Sequence, residues 1–113
     1  MRHPNHLGSL RKQWKLSEDE LARLLGYRFR SAVHRIATNE RTPSLWFVLA
    51  CEVVFGESPR QLFPALYETV EDQVMRRAKK LDDALRHDYS AEAVVKRRLL
   101  SAMAKRAAKR GRP

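Results

Sequence analysis

Apolar residues recur at spacings of three and four along most of this chain, which is the pattern of amphipathic α-helices. The pattern begins at Leu7, Leu10 and Trp14 and returns at Leu21, Leu24 and Leu25. The run from 45 to 55 is apolar almost throughout, so it predicts a helix that is buried on more than one side. The sequence therefore predicts an all-α protein.

Helix-capping residues divide this pattern into separate elements. Ser17 is followed three residues later by Glu20, which is a capping box, and Gly26 follows as a helix-ending residue. Ser58 followed by Pro59 begins another short helix, because proline is favoured in the first helical turn. We expect five short helices within residues 1–64.

The third of these helices is predicted to be polar or basic over most of its surface. We predict a helix from Arg30 to Ala37 in which Val33 and Ile36 form a thin apolar seam and polar or basic residues occupy the rest. Its preceding turn is formed by residues 27–29, and residues 42–44 supply N-cap candidates for the next helix.

Two further helices are predicted after Pro64. The first has apolar residues at three- and four-residue steps over about five turns, namely Leu66, Val70, Val74, Ala78, Leu81 and Leu85. Ser90 caps the second, whose apolar residues repeat every four positions, namely Val95, Leu99, Met103 and Ala107. We predict a domain over residues 1–64 and a helical extension with a basic tail over 65–113.

The net positive charge of the chain indicates which class of partner to expect. The 113 residues carry a formal charge of +10, with net charges of +4 over residues 1–64, −1 over 65–90 and +7 over 91–113. Such a balance indicates a polyanionic partner, although more than half of the excess lies in the last segment. Charge alone does not separate a binding domain from a basic tail.

Catalytic, metal and membrane sites are not indicated. The four histidines, His3, His6, His34 and His87, fall on different predicted elements, and no nucleophile, base and orienting group can be assembled. We expect no enzyme activity, no cofactor and no metal. Cys51 is the only cysteine and lies in an apolar run, so we expect a buried core thiol in a cytoplasmic protein with no membrane span.

The order of these elements resembles the helix-turn-helix domain of the XRE/Cro/phage-repressor family. The resemblance covers about half of the chain and rests on the L-S-x-x-E-L-A opening, the glycine turn, the R-S-x-V-x-R-I segment and the R-T-P-S-L loop. It implies a repressor-like five-helix domain that binds double-stranded DNA as a symmetric homodimer on a palindromic operator. The protein would then be a sequence-specific transcriptional regulator.

The resemblance also implies which residues contact DNA. The third helix would enter the major groove, and Arg30, Ser31 and Arg35 match the family's main base-contacting positions. His34 lies on the same polar face and is a further candidate for base contact. Arg30 and Arg35 could instead contact phosphate, and Ser31 could cap the helix. His34 could instead be a neutral surface residue or a neighbour of the phosphates. Phosphate contacts are expected from Arg28, Asn39 and Arg41. Phe29 could contact a thymine methyl group, but we expect it to pack over the turn.

Two alternatives come from other classes of function. The first is a helix-turn-helix-derived module that sequesters another protein, as an antiactivator or antitoxin would. Its support is Glu18, which stands where many relatives carry glutamine, and an apolar second face on the fourth helix formed by Trp46, Phe47, Ala50 and Val53. The second is a non-specific nucleic-acid binder that uses the basic residues from Lys96 to Arg112.

Overall fold

The computed structural model describes residues 4–110, which form seven α-helices and no strand. The predicted all-α class is confirmed. The helices are α1 (Leu7–Gln13), α2 (Glu18–Leu25), α3 (Ser31–Ala37), α4 (Leu45–Phe55), α5 (Pro59–Leu62), α6 (Pro64–Leu85) and α7 (Ala91–Lys109). The chain divides into two compact units between Glu68 and Thr69, within α6.

The helix starts lie where the capping residues predict them. Four serines each accept a hydrogen bond from a backbone N–H in the first helical turn, namely Ser17, Ser44, Ser58 and Ser90. The capping box of Ser17 and Glu20 is formed in both directions, with distances of 2.9 and 3.0 Å. The backbone N–H of Ser17 also lowers the pKa of the Glu20 carboxyl below its ordinary value, since it stabilises the carboxylate.

Gly26 ends α2 in the left-handed conformation, with φ of 88°. Residues with a Cβ rarely adopt this conformation, so glycine lets the chain leave α2 and turn towards α3. The turn occupies residues 26–30, and α3 begins at Ser31. Arg30 therefore stands at the N-cap, one residue before the observed helix begins and not within it as predicted, and its side chain makes no capping hydrogen bond.

The first unit has a continuous apolar core. Its largest fully buried side chains come from five different helices: Phe47, Leu7, Leu21, Leu25, Leu62, Val33 and Cys51. Burial raises the pKa of the Cys51 thiol to about 12, so this cysteine is a neutral core residue as predicted. Phe47 is fully buried, so the prediction that it lies on an outer face of α4 is wrong.

The second unit is a hairpin of two antiparallel helix segments. Asp82 on α6 accepts a 2.8 Å hydrogen bond from Arg97 on α7, and Glu71, eleven residues earlier, pairs with Arg110, thirteen residues later. The hydrogen bond from Arg97 lowers the pKa of Asp82 below its ordinary value. These two ion pairs define the register of the hairpin, since they lie well apart along it.

The buried residues of α7 follow a seven-residue repeat, whereas the apolar pattern in the sequence repeats every four residues. The buried residues are Ala93, Leu100 and Ala107, at intervals of seven. Val95 and Leu99, two residues of the four-residue repeat in the sequence, are 61% and 59% exposed. A four-residue repeat drifts around the helix, whereas a seven-residue repeat stays close to one line along it.

Candidate nucleic-acid interface

The helix α3 presents one polar face to solvent. Ser31, His34 and Arg35 are exposed, while Val33 and Ile36 on the other side are buried in the core. Spacings of three and four place the exposed residues together on one side of a helix. Three of the four predicted base-contacting residues therefore share an accessible surface, and Arg30 lies exposed at its N-terminal end.

Arg35 on this face and Arg30 at its N-terminal end are both free of internal ion pairs in the described part of the chain. Within residues 4–110, neither Arg30 nor Arg35 forms an ion pair with a carboxylate. Both guanidinium groups can therefore meet an external anion or acceptor without first breaking an internal ion pair.

His34 is coupled to the start of α2. Its Nδ1 lies 3.0 Å from the Oε2 atom of Glu18, the first residue of that helix. The His34 side chain is 57% exposed and that of Glu18 only 23%. The contact engages Nδ1, and more than half of the His34 side chain remains exposed.

The turn before α3 carries an exposed aromatic ring. Phe29 is 69% exposed, so the expectation that it packs over the turn is wrong. The guanidinium carbon of Arg28 lies 5.9 Å from the centre of that ring, within cation–π range. Arg28, expected to contact phosphate, is also exposed and lies beside the N-terminal end of α3.

The loop after α3 is held by side-chain hydrogen bonds. The amide nitrogen of Asn5 donates 2.9 Å hydrogen bonds to the Ile36 carbonyl oxygen and to the Asn39 side-chain oxygen. Asn39 has a left-handed φ of 65°, which asparagine tolerates better than most residues. Because its oxygen accepts from Asn5, the side chain of Asn39 keeps its N–H₂ group as the donor for the expected phosphate contact.

Arg41 is the other loop residue expected to contact phosphate. Its side chain is exposed, and its backbone N–H donates to the Arg35 carbonyl oxygen at 3.2 Å. This bond keeps the loop close to the end of α3. Arg28 and Arg41 thus flank the polar face of α3 along the chain, one before it and one after it.

Sequence reasoning missed three features of this surface. Thr38 extends the exposed face by one turn, and its hydroxyl donates to the carbonyl oxygen of His34 at 2.9 Å. Thr38 follows Ser31 by seven residues, about two helical turns, so helical periodicity could have placed it on the same face. The pairing of His34 with Glu18, and the anchoring of the loop by Asn5, join residues far apart in the sequence and left no local signal.

No group of three histidine, cysteine, aspartate or glutamate side chains within residues 4–110 could hold a metal ion. His3 lies outside the described residues, as does Arg112 of the basic tail. None of the helices described is long and apolar enough to cross a membrane.

No protein-family model, curated protein or solved structure matches this chain.

Proposed function

We propose that this chain is a sequence-specific, DNA-binding transcriptional regulator of the XRE type that acts in the cytoplasm. In this proposal α1 to α5 form a repressor-like helix-turn-helix domain, and α3 enters the major groove. The observation that carries the proposal is the exposed polar face of α3, formed by Ser31, His34 and Arg35 over a buried apolar side.

The dimensions and chemistry of this face suit the major groove. The groove is about 12 Å wide and admits one α-helix, whose side chains must offer paired donors or a donor and an acceptor to the base edges. Arginine can donate two hydrogen bonds to the O6 and N7 atoms of guanine. Arg30 and Arg35, exposed and without internal ion pairs among the described residues, are suited to this role.

The flanking residues are suited to the DNA backbone. Arg28 precedes α3 and Arg41 follows it, and both are exposed. Phosphate contacts of this kind fix the position and orientation of a reading helix on the duplex. Asn39 adds an N–H₂ donor from a loop whose conformation is fixed by Asn5.

We also propose that the second unit forms the interface of a homodimer. Val70, Val74 and Leu81 lie on one side of α6, at spacings of four and seven, and are 51%, 40% and 47% exposed. The pairing of Asp82 with Arg97 places Leu99 of α7 about level with Leu81 in the hairpin. A two-helix hairpin with so much exposed apolar surface is suited to pack against a second copy about a two-fold axis.

The proposal is tested by selecting binding sites from a random duplex library with the full-length protein. A specific regulator should enrich a palindromic site and bind it at least about 10³-fold more tightly than random DNA at physiological salt. Comparable affinity for all sequences, with a steep dependence on salt, would favour non-specific binding through the basic tail.

A second candidate, a protein-binding module, is favoured by the outer face of α4. Trp46 and Val53 are 68% and 86% exposed, and Leu49 lies between them on the same side of the helix. An apolar surface of this kind is typical of a protein-binding site. A protein that shows no preference for any duplex, and that loses binding to a regulator or toxin when Val53 is replaced by lysine, would support this candidate.

A further inference from the structure

The contact between His34 and Glu18 restricts how the histidine can bind DNA. His34 Nδ1 lies 3.0 Å from Glu18 Oε2. An ionised carboxylate has only acceptor atoms, so a hydrogen bond between these two atoms has Nδ1 as its donor. A neutral imidazole has one N–H group and one acceptor nitrogen. With the proton on Nδ1, the Nε2 atom is the acceptor.

Glu18 is well placed to impose this tautomer. It is the first residue of α2, where the positive end of the helix dipole stabilises a carboxylate. The adjoining capping box of Ser17 and Glu20 fixes the backbone from which it projects. The carboxylate is therefore a fixed acceptor on one helix that orients a ring on the next.

The base edges of the major groove differ in what they offer to an acceptor. Cytosine presents its N4 amino group and adenine its N6 amino group, whereas the edge of guanine presents the acceptors O6 and N7. We propose that Glu18 is a positioning residue that holds His34 in the Nδ1–H form, so that Nε2 accepts a hydrogen bond from the exocyclic amino group of a cytosine or adenine. This inference rests on the proposed function, because it requires α3 in the major groove.

Such an arrangement would give the helix two complementary kinds of base contact. Arg30 and Arg35 can only donate hydrogen bonds and therefore suit guanine. His34 in the proposed form can only accept at its outer edge. An operator half-site would then contain a base with an amino group at one position and guanine at others.

The first test uses the free, full-length protein and needs no DNA. Long-range ¹H–¹⁵N correlation spectra at mildly alkaline pH distinguish the two neutral tautomers, and His34→Asn identifies the signals of His34. We expect the Nδ1–H form in the wild-type protein and a shift towards the Nε2–H form in Glu18→Ala. Asp19→Ala is the matched control, because Asp19 is an exposed carboxylate in the same helical turn. An Nε2–H tautomer in the wild type would overturn the inference.

The second test reads the base preference by site selection at the same pH. The wild-type protein should select cytosine or adenine at one position of each half-site. His34→Ala should abolish that preference and weaken binding to the best site about 2- to 10-fold, the range for one hydrogen bond. Glu18→Ala should abolish the same preference. Asp19→Ala should keep the preference.

The outcomes separate this inference from the proposed function. A wild-type protein without any duplex preference would overturn both. A selective protein whose preferences are unchanged in Glu18→Ala, or one in which His34→Ala removes a preference for guanine, would overturn only the role of Glu18. Thermal unfolding of each variant, followed by circular dichroism, shows that the comparison is made on folded protein.

Discussion

The indole N–H of Trp46 donates a 2.9 Å hydrogen bond to the backbone carbonyl oxygen of Leu25. The last carbonyls of an α-helix have no partner within the helix, so this bond satisfies one of them at the end of α2. It joins the first turn of α4 to the residue just before Gly26, where the chain turns towards α3. The exposed ring of Trp46 thus has a structural role through its N–H group.

We predict that Trp46→Phe lowers the free energy of unfolding by about 1 kcal/mol, the usual contribution of one hydrogen bond. Phenylalanine keeps an aromatic ring and removes the N–H donor. Urea unfolding followed by circular dichroism measures the change. Trp14→Phe is the control, because Trp14 is similarly exposed. Equal losses in both variants would show that the bond from Trp46 has no special role.

The sequence predicted the helix boundaries well because the signals that set them are local. Serine caps act within one turn, and Gly26 takes the left-handed conformation that ends α2. What could not be predicted depends on distant residues. Whether Phe47 or Trp46 faces the core is decided by how α4 packs on α2, since a helix that is apolar all round carries no pattern to orient it.

In the candidate interface too, the features set by local sequence could be predicted and those set by distant residues could not. The exposed face of α3 could be predicted from the two buried positions Val33 and Ile36, because helical periodicity then places Ser31, His34 and Arg35 outside. The partner of His34 could not, because Glu18 is sixteen residues away and the pairing depends on the angle between α2 and α3.

The buried ion pair of the hairpin is expected to stabilise the second unit. The Glu71 side chain is only 7% exposed and pairs with Arg110. Removing one partner of such a pair leaves a poorly solvated charge, so Arg110→Ala should lower the free energy of unfolding by about 3 kcal/mol. Arg86→Ala, which breaks an exposed pair with Asp83, should cost less than about 1 kcal/mol. Urea unfolding at a fixed protein concentration measures the free energy of unfolding of both variants. Similar losses in the two variants would contradict the burial of Glu71.

The oligomeric state tests the role proposed for the second unit. We expect a homodimer by light scattering at micromolar concentration, and a monomer for the double variant Leu81→Lys and Leu99→Lys, because charges on the proposed face oppose its burial. Val53→Lys introduces the same kind of charge on α4 and should leave the dimer intact. A monomeric wild type, or a dimer that dissociates only in Val53→Lys, would reject this interface.

The salt dependence of the proposed DNA binding tests whether the basic tail contacts DNA. Because Arg110 pairs with Glu71, the test is confined to Lys105, Arg106 and Lys109, which are exposed. If they contact DNA, replacing them by alanine should reduce the slope of log affinity against log salt by about 0.9 for each phosphate that they neutralise. Replacing Arg76, Arg77 and Lys80 on α6 removes the same charge as a control. An unchanged slope in the tail variant would show that these residues do not contact DNA.

The most direct test of the proposed function is to measure how Arg30→Ala and Arg35→Ala change binding at each position of the best operator. We predict that each variant loses about 1 to 3 kcal/mol on that operator and its preference at one position of each half-site, while affinity for random DNA stays nearly the same. Arg76→Ala, with equal loss of charge on α6, should leave the preferences unchanged. A uniform loss on all sequences would assign the two arginines to phosphate, and unchanged binding by both variants would contradict the proposal that α3 contacts DNA.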